Sequence, residues 1–174
     1  MDVKSVMLGS FDRARDYTLR SVEALGDPEY LWRPGPAANP IAWLLLHISR
    51  AEDNSFARWI EHGAATIWST MNLDRQTGLP LDDPAFSVGG GWTSEQVGAF
   101  PYPPLAQMLD YLARVRERSL GVIRGIDDAR LDAPLRPDRP GTIGAYLYGA
   151  PQHESSHRGV IEYVRGLYAA GGSR

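Results

Sequence analysis

Two histidines near the C-terminal end of the chain have the residue type and the spacing for metal chemistry. His153 and His157 lie four residues apart in the segment HESSHRG, inside an otherwise apolar helical pattern. Side chains at this spacing lie one turn apart on one face of a helix, so both ring nitrogens can reach one ion. The pair alone is a weak signal, because a histidine on an apolar face is more often a core residue satisfied by one hydrogen bond.

A third histidine favours the metal interpretation. His47 lies one turn after Trp43 and one turn before Ala51, so it also points from a largely apolar helix face toward the interior. Three neutral imidazoles from two helices would leave one coordination position open for water or substrate, as in catalytic divalent sites. Imidazole suits zinc, nickel, copper and ferrous iron alike. We predict one divalent transition metal held by His47, His153 and His157.

The remaining polar residues near these histidines are assigned structural roles. His62 falls at the C-terminal end of a predicted helix, where a cation meets the negative end of the helix dipole, and is interpreted as a surface residue. Asn54 is a candidate to support a metal ligand, whereas Glu52 and Asp53 are expected to be exposed helix charges.

Two further charged groups are also expected on the surface. Glu154 and Arg158 have the spacing of an exposed ion pair along one helix face. Arg116 belongs to the basic run RVRER, which spreads around its helix and indicates a solvated face.

Four segments carry apolar residues at the three-and-four spacing of a helix, and no segment is typical of a strand. The second predicted helix begins with Asn39 as its N-cap and Pro40 at its first position. The fourth begins at Thr142, and Pro151 predicts a kink or a break in it. Its predicted inner face comprises Tyr146, Ala150, His153, His157, Val160, Val164 and Leu167. The pattern predicts an all-α protein, a four-helix bundle forming a single domain over residues 1–174.

The connection between the second and third predicted helices spans residues 63–92, which is too long for a tight turn. It carries enough apolar residues to pack on the bundle, and three successive glycines from Gly89 indicate a flexible stretch. It is interpreted as a structural crossover, with a partial lid over a site as the alternative. Thr93 and Gln96 match a capping box and predict a short helix after it.

Composition excludes several classes of function. The net charge of −3 and the absence of clustered Lys and Arg argue against a nucleic-acid partner. The chain has no cysteine, so disulfides, thiolate ligands and a cysteine nucleophile are excluded. No apolar run is long enough for a signal peptide or a membrane span, which favours a cytoplasmic protein without a membrane partner.

Trp59, Tyr111 and Tyr163 are candidates for apolar surface at a homodimer interface.

The stretch LWRPGPAANPIAWLLLHISRAED resembles the segment that leads into and through the second helix of DinB-like proteins. HESSHRG resembles the paired histidines and the following arginine and glycine of their fourth helix. The resemblance implies a four-helix bundle with a long crossover after the second helix. It also implies a divalent metal, often nickel or zinc, whose ligands fall on His47, His153 and His157. Many relatives are homodimers.

Some DinB-like proteins are transferases or isomerases that depend on low-molecular-weight thiols such as mycothiol or bacillithiol. By resemblance, the first hypothesis is a metal-dependent transferase that uses a small thiol as cosubstrate and acts on a small-molecule substrate. A metal-dependent hydrolase and a non-catalytic metal-binding helical module are the alternatives. No carboxylate is firmly placed as a general base, so no catalytic side chain is assigned and the nucleophile would be metal-bound water or thiol.

Overall fold

The computed structural model describes residues 2–80, 83, 85–138 and 140–172, and this part of the chain is helical without a β-strand. The helices are α1 (Val3–Ser21), α2 (Asp27–Leu31), α3 (Ile41–Asn54), α4 (Ile67–Thr70), α5 (Leu73–Thr77), α6 (Ser94–Ala99), α7 (Leu105–Gly125) and α8 (Ile143–Leu167). Short 3₁₀ segments cover Phe86–Val88 and Asp128–Asp132, and π-helical turns cover Ser55–Ile60 and Tyr168–Gly172.

The four long helices form the predicted bundle. Helix α1 packs against α7 and α8, and α3 packs against the same two helices from the other side. Each long helix contributes fully buried apolar side chains to the core, among them Phe11, Leu45, Leu112 and Ile161. The all-α prediction is therefore confirmed. None of the described helices is both long enough and apolar enough to cross a membrane.

The helix starts agree with the capping signals in two places and differ in a third. The Thr142 side chain accepts a hydrogen bond from the Ala145 N–H at 3.1 Å, and the capping box of Thr93 and Gln96 is present. The predicted cap at Asn39 is wrong, because Pro40 is the N-cap residue of α3. Its backbone is extended, with φ −72° and ψ 164°, so the first helical residue comes one position later than predicted.

Helix α8 runs through Pro151 without a break, so the predicted alternative of a break is wrong. The proline lacks the N–H that would bond to the carbonyl of the preceding turn. Its ring is buried against the bundle. We attribute the continuity of the helix to this packing, since tertiary contacts offset the missing hydrogen bond.

The predicted inner face of the fourth helix is rotated from the observed one. The buried side chains of α8 are Ile143, Leu147, Pro151, Glu154, Ile161 and Val164. Val160, predicted to face the core, is 43% exposed. A proline and a glutamate interrupt the true stripe, so hydrophobic spacing alone favoured the neighbouring face.

The crossover packs tightly on the bundle. Trp68 and Leu73, from α4 and α5, are fully buried. The Asp53 carboxylate of α3 accepts hydrogen bonds from the N–H groups of Ile67 and Trp68 at 2.9 and 3.0 Å. Asp53 is therefore a buried anchor, and the expectation that it is exposed is wrong. Residues 81, 82 and 84 of the predicted crossover lie outside the described part of the chain.

Candidate metal centre

The structure brings the three predicted histidines together at one point between α3 and α8. Nε2 of His153 lies 3.1 Å from Nε2 of His47 and 3.1 Å from Nε2 of His157. The three candidate ligand atoms all lie within 4.8 Å of one another. Two nitrogens bound to one tetrahedral zinc at the usual bond length are about 3.3 Å apart, so the donor set matches a small divalent ion.

His47 is held in the tautomer that metal binding requires. Its Nδ1–H donates to the backbone carbonyl of Val88 at 2.6 Å. A neutral imidazole carries one proton, so Nε2 of His47 keeps a lone pair directed at the other two rings. A carbonyl partner on the far nitrogen is the usual second contact of a metal-binding histidine.

The three rings are favoured in their neutral forms. Burial is the largest cause that lowers the pKa of each of them below the ordinary histidine value. For His157, burial and repulsion from His47 and His153 lower the pKa to about 4. Neutral rings are the ligand-competent state, because a proton competes with a metal for the same lone pair.

Hydrogen bonds cannot satisfy the neutral triad. Because Nε2 of neutral His153 is either one N–H donor or one lone-pair acceptor, it can form a well-directed hydrogen bond with only one of its two neighbours, and the other contact stays unsatisfied. A divalent cation would satisfy all three nitrogens at once. The residues present therefore fit a metal, although their role as ligands stays a prediction.

Two side chains of α3 hold the crossover segment that contacts His47. Arg50 donates from Nε to the carbonyl of Ser87 at 3.0 Å, and Asn54 donates from its amide to the Ser87 hydroxyl at 2.7 Å. The next residue is Val88, whose carbonyl accepts from His47. Asn54 thus holds the crossover backbone that contacts His47, whereas its role toward a metal stays a prediction.

Gly89 allows the crossover to approach the centre this closely. Its φ is +80°, and a Cβ there would lie 2.7 Å from Nε1 of Trp43. The Trp43 ring in turn stacks on His47, with ring centroids 4.7 Å apart and an angle of 5° between the planes. This close contact requires a glycine, whereas the sequence had indicated only a flexible stretch.

A cavity of about 280 Å³ adjoins the triad. His153 belongs to its wall, and the other lining residues come from α3, the following π-helical turn and α8: Ile48, Ala51, Glu52, Ser55, Tyr146, Gly149, Ala150 and Glu154. π-Helical turns are rare and often occur at functional sites. The cavity provides space for a small molecule beside the candidate metal position.

The two carboxylates at this cavity belong to a buried ion quartet, defined as Arg15, Glu52, Arg116 and Glu154. Nε of Arg15 donates to Glu154 at 2.7 Å, and Nη2 of Arg116 donates to Glu52 and Glu154 at 2.7 and 2.5 Å. All four side chains are less than a tenth exposed. The predictions that Glu52, Arg116 and Glu154 are solvated are therefore wrong.

The quartet joins all four bundle helices and carries no net charge. The guanidinium groups outweigh the effect of burial, which by itself would raise the pKa of Glu154, and hold that pKa below the ordinary carboxyl value. Each arginine also donates to a backbone carbonyl, Arg15 to Leu112 and Arg116 to Phe11. Arg158, the predicted partner of Glu154, pairs with Glu162 at 2.6 Å instead.

Three other predicted surface residues have different outcomes. His62 is exposed at the end of the π-helical turn, with a φ of +55°, which confirms its assignment to the surface. Tyr111 is fully buried and its hydroxyl donates to Asp53 at 2.9 Å, so its prediction as apolar surface is wrong. Tyr163 is 67% exposed.

Several residues of this region gave no signal in the sequence. The Val88 carbonyl is a backbone group, so its contact with His47 is independent of residue type. Arg50 and Ser87 could not be paired, because they lie 37 positions apart. Ser55 and Tyr146 carried no motif, although both line the cavity.

The model of the DinB superfamily matches residues 10–161 of the chain. The fold is similar to the crystal structure of a conserved protein from Enterococcus faecalis, with 20% sequence identity and a TM-score of 0.80. That similarity covers 98% of this chain and 99% of the other. At this identity the likeness shows the fold alone. No curated protein matches the sequence.

Proposed function

The chain belongs to the DinB superfamily, and from that premise we propose that it is a divalent-metal-dependent transferase that uses a small thiol. The observation that carries the proposal is the convergence of three neutral imidazoles beside a cavity, with His153 in both. When bound, a divalent ion would lower the pKa of a coordinated water or thiol, a property that no side chain of the cavity supplies.

The cavity residues favour a nucleophile brought in from outside the protein. Glu52 and Glu154 line the cavity, but all four of their carboxylate oxygens accept hydrogen bonds from the guanidinium groups of Arg15 and Arg116. Burial raises the pKa of the Tyr146 hydroxyl. These groups can orient and desolvate a substrate, whereas none is suited to act as a general base.

In the proposed reaction the thiolate sulfur forms a bond to an electrophilic carbon of the substrate. The leaving group departs with the bonding electron pair, and the thiol proton goes to solvent. The apolar side chains Ile48, Ala51 and Ala150 would exclude water from the reacting atoms. The cavity volume of about 280 Å³ suits a small substrate.

The test measures metal content and thiol transfer in the same preparations. Protein purified without a polyhistidine tag is loaded with zinc or nickel and analysed for metal. It is then assayed with bacillithiol, mycothiol or glutathione and the electrophile monochlorobimane. We expect one metal per chain and conjugation well above background with at least one thiol, both lost in His153→Ala.

The matched control is His62→Asn, which removes a histidine outside the triad and keeps a residue that tolerates positive φ. It should retain the metal and the activity. A conjugation rate equal to that of His153→Ala with all three thiols would overturn the transferase. Retained metal in that case would leave the hydrolase and the non-catalytic metal-binding module as the alternatives, whereas absence of metal after loading would overturn the metal centre itself.

A further inference from the structure

A second cavity, of about 350 Å³, adjoins the one beside His153. Ser55 and Tyr146 belong to the walls of both cavities. The second cavity is lined in addition by Trp59, Leu135, Arg136, Pro140, Gly141, Thr142 and Ala145. These two adjoining cavities, which share the side chains of Ser55 and Tyr146 in their walls, are together called the groove.

The far end of this groove carries a cationic side chain. Nε and Nη2 of Arg136 donate to the Asp138 carboxylate at 2.9 and 2.6 Å. Within the described residues, Nη1 of Arg136 has no hydrogen-bond partner. The guanidinium carbon lies 4.6 Å from the centre of the Trp59 ring, and this cation–π contact helps to position the guanidinium group.

The groove has opposite characters at its two ends. Beside His153 the wall is mainly aliphatic, and its two carboxylates are neutralised within the buried ion quartet, so they do not repel an anion. At Arg136 the wall offers a fixed guanidinium and an aromatic ring. From Thr142 to His153 the helix axis advances about 16 Å at 1.5 Å per residue, which sets the length of a ligand that would occupy both ends.

We propose that this groove binds a small organic carboxylate with an apolar body, whose carboxylate pairs with Arg136 and whose apolar end lies beside His153. Planar bidentate donors suit a carboxylate. The ligand carboxylate would take the place of Asp138, whose side chain is 55% exposed, or bind the Arg136 guanidinium together with it. The proposal deepens the proposed function and rests on it for the reaction, because it assigns a substrate class to the same site. Binding itself requires no metal.

The probe is 6-phenylhexanoate, with 6-phenylhexan-1-ol as its neutral counterpart. Both are titrated calorimetrically into protein treated with a chelator and, separately, into zinc-loaded protein. We expect the carboxylate to bind about tenfold more tightly than the alcohol, as one charge-assisted hydrogen-bonded pair predicts. Arg136→Gln should remove this preference, and Asp138→Asn should strengthen carboxylate binding because it removes the competing anion.

A third variant tests the position of the apolar end. Gly149 lines the cavity beside His153, and a Cβ there meets no atom within 4 Å. Gly149→Leu should therefore fold normally and abolish binding of both probes by filling the cavity. Gly166→Leu, at another α8 glycine with open space around its Cβ, is the matched control and should bind like the wild type.

The proposal is overturned by equal affinity for carboxylate and alcohol in the wild type. It is also overturned by a carboxylate preference that survives Arg136→Gln, or by unchanged binding in Gly149→Leu. Because binding is measured in the metal-free protein, the carboxylate site can be tested separately from the proposed function. Carboxylate binding without thiol transfer would overturn the transferase and support the carboxylate site.

Discussion

The histidine triad and the buried ion quartet lie next to each other on α8, where His153 and Glu154 are consecutive residues. The quartet contains two cations and two anions that satisfy one another, and its side chains are almost wholly excluded from solvent. The triad contains three lone-pair donors that cannot satisfy one another, and His153 is exposed. Convergent polar groups are therefore structural where their charges balance, and they form a candidate binding site where lone pairs converge without enough hydrogen-bond donors.

Removal of one anion from the quartet should have the largest effect. Glu154→Ala leaves Arg15 and Arg116 buried with a single carboxylate between them, so we expect a loss of about 3–5 kcal/mol in the free energy of unfolding. Urea denaturation measures it. Glu162→Ala, which breaks the exposed pair with Arg158, is the control and should cost less than about 1 kcal/mol. Similar losses in both variants would show that the quartet contributes little.

The quartet also predicts how stability responds to acid. Because the pKa of Glu154 is lowered in the folded protein, its contribution is present above the ordinary carboxyl range and is lost as the pH falls through the lowered value. The free energy of unfolding of the wild type should therefore fall on acidification, and that of Glu154→Gln should fall less. Parallel stability profiles for the two proteins would contradict this assignment.

The triad should contribute to stability only when metal is present. With free zinc at about 100 times its dissociation constant, binding to the folded state adds about 2.7 kcal/mol. We expect this zinc-dependent gain in the wild type and its absence in His157→Ala, measured by urea denaturation with and without chelator. In metal-free protein the same substitution should have little effect, because it removes an unsatisfied contact. A large destabilisation there would mark the triad as structural.

Asn54 should affect metal affinity through the crossover. Asn54→Ala removes the hydrogen bond to Ser87 and loosens the carbonyl that orients His47, so we expect metal affinity to fall by about tenfold. Competition with a fluorescent zinc chelator measures it. Gln76→Ala, which removes the exposed crossover bond to Gln107, is the control and should leave the affinity unchanged. Equal metal affinities in both variants would show that Asn54 does not influence the metal centre.

The smallest effect is expected for a substitution at the proposed dimer interface. Tyr163 is 67% exposed and Val160, one turn before it on α8, is 43% exposed. We propose that this apolar surface is part of a dimer interface. Light scattering at micromolar concentration should give the mass of two chains, and Tyr163→Glu should shift the population toward one. A single-chain mass for the wild type would contradict the homodimer.

Much of the fold was predictable, because its signals are local. Thr142 and the capping box of Thr93 and Gln96 act within one helical turn, and the bundle follows from four amphipathic segments. The histidines of the candidate site were also predictable, since their type and spacing stand out from an apolar pattern. The inner face of α8 was not, because Pro151 and Glu154 occupy core positions that hydrophobicity does not mark.

The sequence by itself determined the four long helices, the long crossover and the three histidines, since periodicity, capping and residue type depend on neighbours a few positions away. Only the tertiary structure decided which partners those residues meet. Arg15 and Glu154 are 139 positions apart, and the contact between His47 and Val88 spans 41. Such contacts depend on how the helices pack and on where the backbone of the crossover lies. The groove that ends at Arg136 arises in the same way, because its walls belong to segments that only the folded bundle brings together.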